Sequence, residues 1–179
     1  MFQEERVDFK FEWEHLGNLA LGRPNLGPTT HIALYRLMQF TLRDALIRHG
    51  GVELANRVFF DAGRNAGAAI YKHLLNAPKD MGELVRSLQR SFEELGGGII
   101  RVEEADLEKN HFVLTVAEDL DCSGLPLMDE AICTYDEGFI AGILEAHLGI
   151  PFRVREVDCW CTGDRVCRFE AVPRDPTAT

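Results

Sequence analysis

The chain has 179 residues, 46% of them hydrophobic and 27% charged, the balance of a compact domain with a full core; disorder, a collagen-like fibre and a disulfide miniprotein are excluded. Nineteen Lys plus Arg against 29 Asp plus Glu give a net charge of −10, which repels phosphate backbones and anionic lipid, so no direct nucleic-acid partner is expected. No stretch approaches the roughly 18–20 apolar residues of a membrane span, and the start is acidic where a signal peptide is basic and then apolar; a cytoplasmic location without membrane contact is expected.

From Val7 the pattern alternates weakly (Val7, Phe9, Phe11, Trp13) and then breaks at Gly17, Gly22, Pro24 and Gly27, which reads as a short strand and a loop. After Pro28-Thr29-Thr30, apolar residues recur at helical period from Ile32 through Leu46 until Gly50-Gly51, predicting one helix. A second runs from Val52 to about Leu75, with Gly63 and Gly67 one turn apart on its buried side, which permits a close helix neighbour. Asp80 is an N-cap candidate for a third helix closed by Gly96-Gly97-Gly98.

The period then changes to two. Ile99–Val102 and His111–Val116 read as an antiparallel pair joined by the charged turn around Glu108-Lys109-Asn110. A fourth helix is expected from about Ala131 to Leu148, then strands Phe152–Asp158 and Val166–Val172 joined by a turn at Thr162-Gly163-Asp164. The fold class is therefore α+β: an antiparallel sheet packed against a helical layer, as a single domain over residues 1–172 with a polar tail from 173 to 179.

The five cysteines, Cys122, Cys133, Cys159, Cys161 and Cys167, are odd in number and crowd the last third of the chain, a poor disulfide framework that points to metal ligation or thiol chemistry. Cys133, Glu156, Cys159 and Cys167 offer three thiolates and a carboxylate, a complete tetrahedral donor set for structural zinc, and iron also accepts such ligands. The site would staple helix to carboxy-terminal hairpin. In a regular strand Glu156 and Cys159 face opposite ways, so the chain must bend near Asp158 for both to bind.

The run Cys133-x4-Gly138-x3-Gly142, then Glu156-x2-Cys159-x3-Gly163-Asp164-x2-Cys167-x-Phe169, resembles the 4-vinyl reductase domain, in the superfamily that includes sensor domains of phenol- and xylene-responsive activators and subunits of the TRAPP vesicle-tethering complex. The signature covers residues 108–171, and Cys122 and Cys161 fall outside it. The resemblance implies zinc on Cys133, Glu156, Cys159 and Cys167. It also implies a hydrophobic cavity for a small hydrophobic or aromatic molecule, with Phe59, Phe92, Phe112, Tyr135 and Phe139 as candidate lining residues and His111 as a candidate polar contact.

The expected function is a stand-alone ligand-binding module, a sensor or carrier. It would form a homodimer and report through the helices between Pro28 and Leu75, or through a separate regulatory or output protein. Two alternatives stay open: a biosynthetic role with a vinyl-bearing tetrapyrrole, and a thiol redox sensor using Cys159 and Cys161. No dinucleotide fingerprint or nucleophile elbow is legible, so no catalytic residue is assigned.

Overall fold

The computed structural model describes residues 10–128 and 130–174. Val7 and Phe9 of the expected first strand lie outside these residues, and Phe11 and Trp13 form no strand. The chain instead makes a 3-10 turn, Trp13–Leu16, and a one-turn helix, α1 (Leu19–Gly22), whose N-cap Asn18 accepts from the Leu21 N–H. Local capping outcompetes a four-residue alternation that has no sheet edge to join.

The two expected central helices are one continuous element, α2 (Ile32–His73), interrupted at Gly51, whose φ of 80° takes a single residue out of helical conformation. Helix α3 (Met81–Glu94) begins as the sequence predicts, with the Asp80 carboxylate accepting from the Glu83 N–H at 2.8 Å. Strands β1 (Ile99–Asp106) and β2 (His111–Ala117), helix α4 (Thr134–Leu148), and strands β3 (Phe152–Asp158) and β4 (Cys167–Pro173) complete the fold. The expected polar tail thus starts inside β4 at Pro173, and residues 175–179 lie outside the described chain.

The four strands form one antiparallel sheet in the order β1-β2-β4-β3. Its inner face alternates as a one-sided sheet must, with Phe112, Leu114 and Val116 of β2 in register with Ala171, Phe169 and Cys167 of β4. The outer face is charged: Arg168 pairs with Glu103 and with Asp158, and His111 with Glu104 and Glu170. Helix α4 lies against the inner face and against α2 as well, which explains why it is apolar on nearly all sides, with Phe139, Ile140, Ala141, Ile143 and Leu144 buried.

Glycines make that central layer possible. A Cβ on Gly63 or Gly67 of α2 would overlap the carbonyl oxygens of Tyr135 and Phe139, and one on Gly138 or Gly142 of α4 would overlap those of Phe60 and Arg64. The two backbones therefore touch directly, and α4 is fixed in height and rotation. This placement sets Cys133, the N-cap residue of α4, over the end of the sheet where β4 begins.

Candidate metal centre and apolar cavity

The chain crosses the sheet end three times near one point. Cys133 arrives at the head of α4, Cys167 opens β4, and Cys159 follows β3 just before a 3-10 turn, Trp160–Thr162, closed by Gly163 at φ 108°. The expected bend is present: the β3–β4 register shifts between Glu156 and Asp158, so Glu156 and Cys159 both turn inward. A fourth thiol joins them from the loop after β2, that of Cys122.

The donor sulfurs of Cys122, Cys133, Cys159 and Cys167 all lie within 4.8 Å of one another, and all four residues are buried. Cys133 Sγ is 3.9 Å from both Cys159 Sγ and Cys167 Sγ, and Cys122 Sγ is 3.0 Å from Cys167 Sγ. A zinc-type ion with metal–sulfur bonds of about 2.3 Å would hold its tetrahedral sulfurs roughly 3.8 Å apart, so the spacing around Cys133 already fits a metal. No disulfide joins the cysteines. Four buried thiols converging on one point form a metal-binding donor set.

Electrostatics favour the same conclusion. The Cys159 thiol is drawn far below the ordinary range by hydrogen bonds from Cys122, Cys133 and Cys167, making it the first thiolate to form. Burial pushes Glu156 up to about 8 and Asp119 to about 7. Without a cation the site must keep protons; a bound dication would release them.

Glu156 stands beside the thiols, outside that group of four. Its Oε2 accepts from the Cys133 N–H at 3.1 Å, while Oε1 is buried without a hydrogen-bond partner. Cys161 is also fully buried and outside the group; burial pushes its thiol up to about 12, the opposite of a reactive cysteine. Sequence spacing alone does not reveal Cys122, because its loop reaches the site through a turn pinned by the buried Asp119, whose Oδ1 accepts from the N–H groups of Asp121 and Cys122.

Behind the thiols, α3, α4 and the inner faces of β1 and β2 enclose a cavity of about 50 Å³. Its walls are apolar side chains, with Met81 and Leu88 on α3 and Leu114 on the sheet among them, and Asp136 is the one charged residue in the lining. Phe92, Phe112 and Phe139 line it as expected. Phe59, His111 and Tyr135 do not: Phe59 packs under the Arg43 guanidinium on α2, His111 pairs with two glutamates on the outer face, and Tyr135 follows Cys133 on the side of α4 that meets α2. The cause is the rotation of α4 that its glycines impose, which turns Tyr135 away from the sheet.

An α+β domain whose central helix carries a cysteine centre at its head and an apolar cavity along its flank is thus defined by fold and site together. Residues 112–173 match the family model of the vinyl-4-reductase domain, and the chain carries a domain of this family. Two uncharacterized proteins of Methanocaldococcus jannaschii are each 27% identical to it. One matches over 128 residues, 62% of this chain and 80% of its own length, the other over 105 residues, 59% and 60%. Three solved structures share the fold. The phenol-responsive sensory domain of the transcription activator PoxR, determined with phenol, has a TM-score of 0.61 at 20% identity, covering 80% of this chain and 75% of that one. A vinyl-4-reductase family protein of Methanocaldococcus jannaschii has 0.60 at 18%, covering 96% and 100%. A trafficking protein particle complex subunit 3 of Naegleria fowleri, covalently bound to palmitic acid, has 0.62 at 14%, covering 80% and 95%. At these identities the likeness is one of fold. Among the described residues no helix is long and apolar enough to cross a membrane.

Proposed function

We propose that the protein is a zinc-stapled sensor or carrier module that takes a small apolar or aromatic molecule into the cavity between α3, α4 and the sheet. The observation that carries this reading is the apolar void itself, since well-packed cores hold few voids larger than a water molecule. The phenol-bound PoxR sensory domain, with the same fold, supports it. At about 50 Å³ the void is smaller than the roughly 150 Å³ cavity that admits benzene, so entry requires the α3 side chains Met81, Leu88 and Phe92 to move outward. A tetrapyrrole would demand several times that space, which weighs against the biosynthetic alternative.

The test is a thermal-shift panel of phenols, alkylbenzenes, fatty acids and tetrapyrroles. A ligand at about 100 times its Kd stabilises by about 2.7 kcal/mol, or roughly 5–11 °C for a chain of this size. A rise with single-ring aromatics is expected; a flat response to the whole panel would remove the ligand-binding reading.

The first half of α2 provides the output surface in this reading. Leu34, Leu37, Met38 and Leu42 are exposed along it, with Leu19, Leu21 and Leu26 exposed in the preceding segment, and apolar patches of this kind mark association sites. The occupant is a second copy of the chain. Leu37→Glu with Met38→Glu is expected to convert a dimer to a monomer in light scattering while leaving the metal content unchanged. A wild-type chain that is monomeric at tens of micromolar would overturn the dimer.

A further inference from the structure

We propose that Cys122 is the fourth ligand of the metal centre, and that Glu156 is a positioning residue that holds Cys133 in place. This deepens the metal reading above and is independent of the ligand reading.

The donor atoms decide between the two residues. Cys122 Sγ belongs to the group of sulfurs that lie within 4.8 Å of one another. It sits 3.0 Å from Cys167 Sγ, closer than the roughly 3.8 Å edge of a tetrahedral thiolate site, so a metal entering between them needs to push Cys122 outward by less than about 1 Å. Glu156 is engaged elsewhere. Cys133 is the N-cap of α4 and makes no side-chain cap of its own; the Glu156 carboxylate supplies the acceptor instead, on the Cys133 N–H, where it also favours the positive end of the helix. Its free Oε1 is the competing donor, and a soft metal surrounded by four sulfurs prefers the thiolate.

The assignment has a mechanical consequence. Cys122 rides on a loop that the first half of α2 grips. The Tyr35 hydroxyl and the Gln39 amide donate to the two Asp121 carboxylate oxygens at 2.7 Å each, and Arg36 donates to the carbonyls of Leu120 at 2.8 Å and Ser123 at 2.9 Å. A Cys122–metal bond therefore anchors the loop, and the loop anchors the helix whose opposite side is the exposed apolar stripe. Under a Glu156-ligated site the same loop would be free of the metal.

Cobalt(II) reconstitution of the full chain separates the two. Wild-type protein is expected to give thiolate-to-cobalt charge transfer of four-sulfur intensity. Cys122→Ser is expected to lose roughly a quarter of it, one donor of four, whereas Glu156→Gln keeps it whole. Amide exchange over residues 32–42 is expected to speed up about tenfold in Cys122→Ser and little in Glu156→Gln. A three-sulfur wild-type spectrum that changes with Glu156→Gln would overturn the assignment, even where Cys122→Ser fails to fold. Failure of wild-type protein to take up cobalt or zinc at all would instead sink the metal reading itself.

Discussion

Cys133→Ser is expected to abolish stoichiometric metal binding and to lower the stability of the metal-replete protein by about 4 kcal/mol, the linkage free energy of an ion present at roughly 1,000 times its Kd. Cys133 carries the largest effect because it joins two layers: it caps α4, it is 1% exposed, and its sulfur is equidistant at 3.9 Å from those of Cys159 and Cys167. Losing it unhooks the central helix from both strands of the terminal hairpin. Three further measurements make the prediction specific. A strong chelator should lower wild-type Tm by the same amount and leave Cys133→Ser unmoved, because both routes reach the same metal-free state. Cys161→Ala, which removes a buried thiol outside the group of four, should keep one metal per chain in native mass spectrometry and cost only the modest penalty of a small cavity. A Cys133→Ser protein that retains both metal and Tm would remove the residue from the site.

The carboxy-terminal half of this fold is legible because its signals are local. The period of two in His111–Val116, the bend required near Asp158, the turn at Gly163 and the cap at Asp80 each depend on a few neighbouring residues, and each is found where expected. What is missed depends on rotation and on contacts distant in sequence. The helical pattern from Ile32 to Leu46 looks like a core-facing stripe, yet Leu34, Leu37, Met38 and Leu42 point to solvent; the inward-facing residues are the polar Tyr35, Arg36 and Gln39, which grip the Cys122 loop. Periodicity identifies an apolar face without saying whether this chain or another covers it. Tyr135 and Phe139, one turn apart on α4, read alike as pocket residues, but only Phe139 reaches the cavity. Cys122 lies outside the spaced motif, and a ligand brought in by a loop leaves no regular spacing to read.

Substituting alanine for any of the four glycines between α2 and α4 is expected to cost about 3 kcal/mol, a Tm drop of roughly 6–12 °C. The sign is opposite to that in an exposed helix, where Gly→Ala gains up to about 1 kcal/mol; Gly82, exposed in the first turn of α3, is the internal control and should be neutral or stabilising. The reason is that the added Cβ meets carbonyl oxygens of the facing helix, Tyr135 for Gly63, Phe139 for Gly67, Phe60 for Gly138 and Arg64 for Gly142. Backbone cannot rotate aside as a side chain can, so the helices must separate as bodies. Two consequences distinguish this from four independent local defects. The double variant Gly67→Ala with Gly142→Ala should cost clearly less than the sum of its parts, since the first separation makes room for the second Cβ. Metal affinity should also fall most in Gly63→Ala, whose clash is at Tyr135, and least in Gly142→Ala, whose clash lies further along α4 from Cys133. Equal metal loss at both positions, or strictly additive stabilities, would mean that the glycine crossing does not set the height of the helix that delivers Cys133 to the centre.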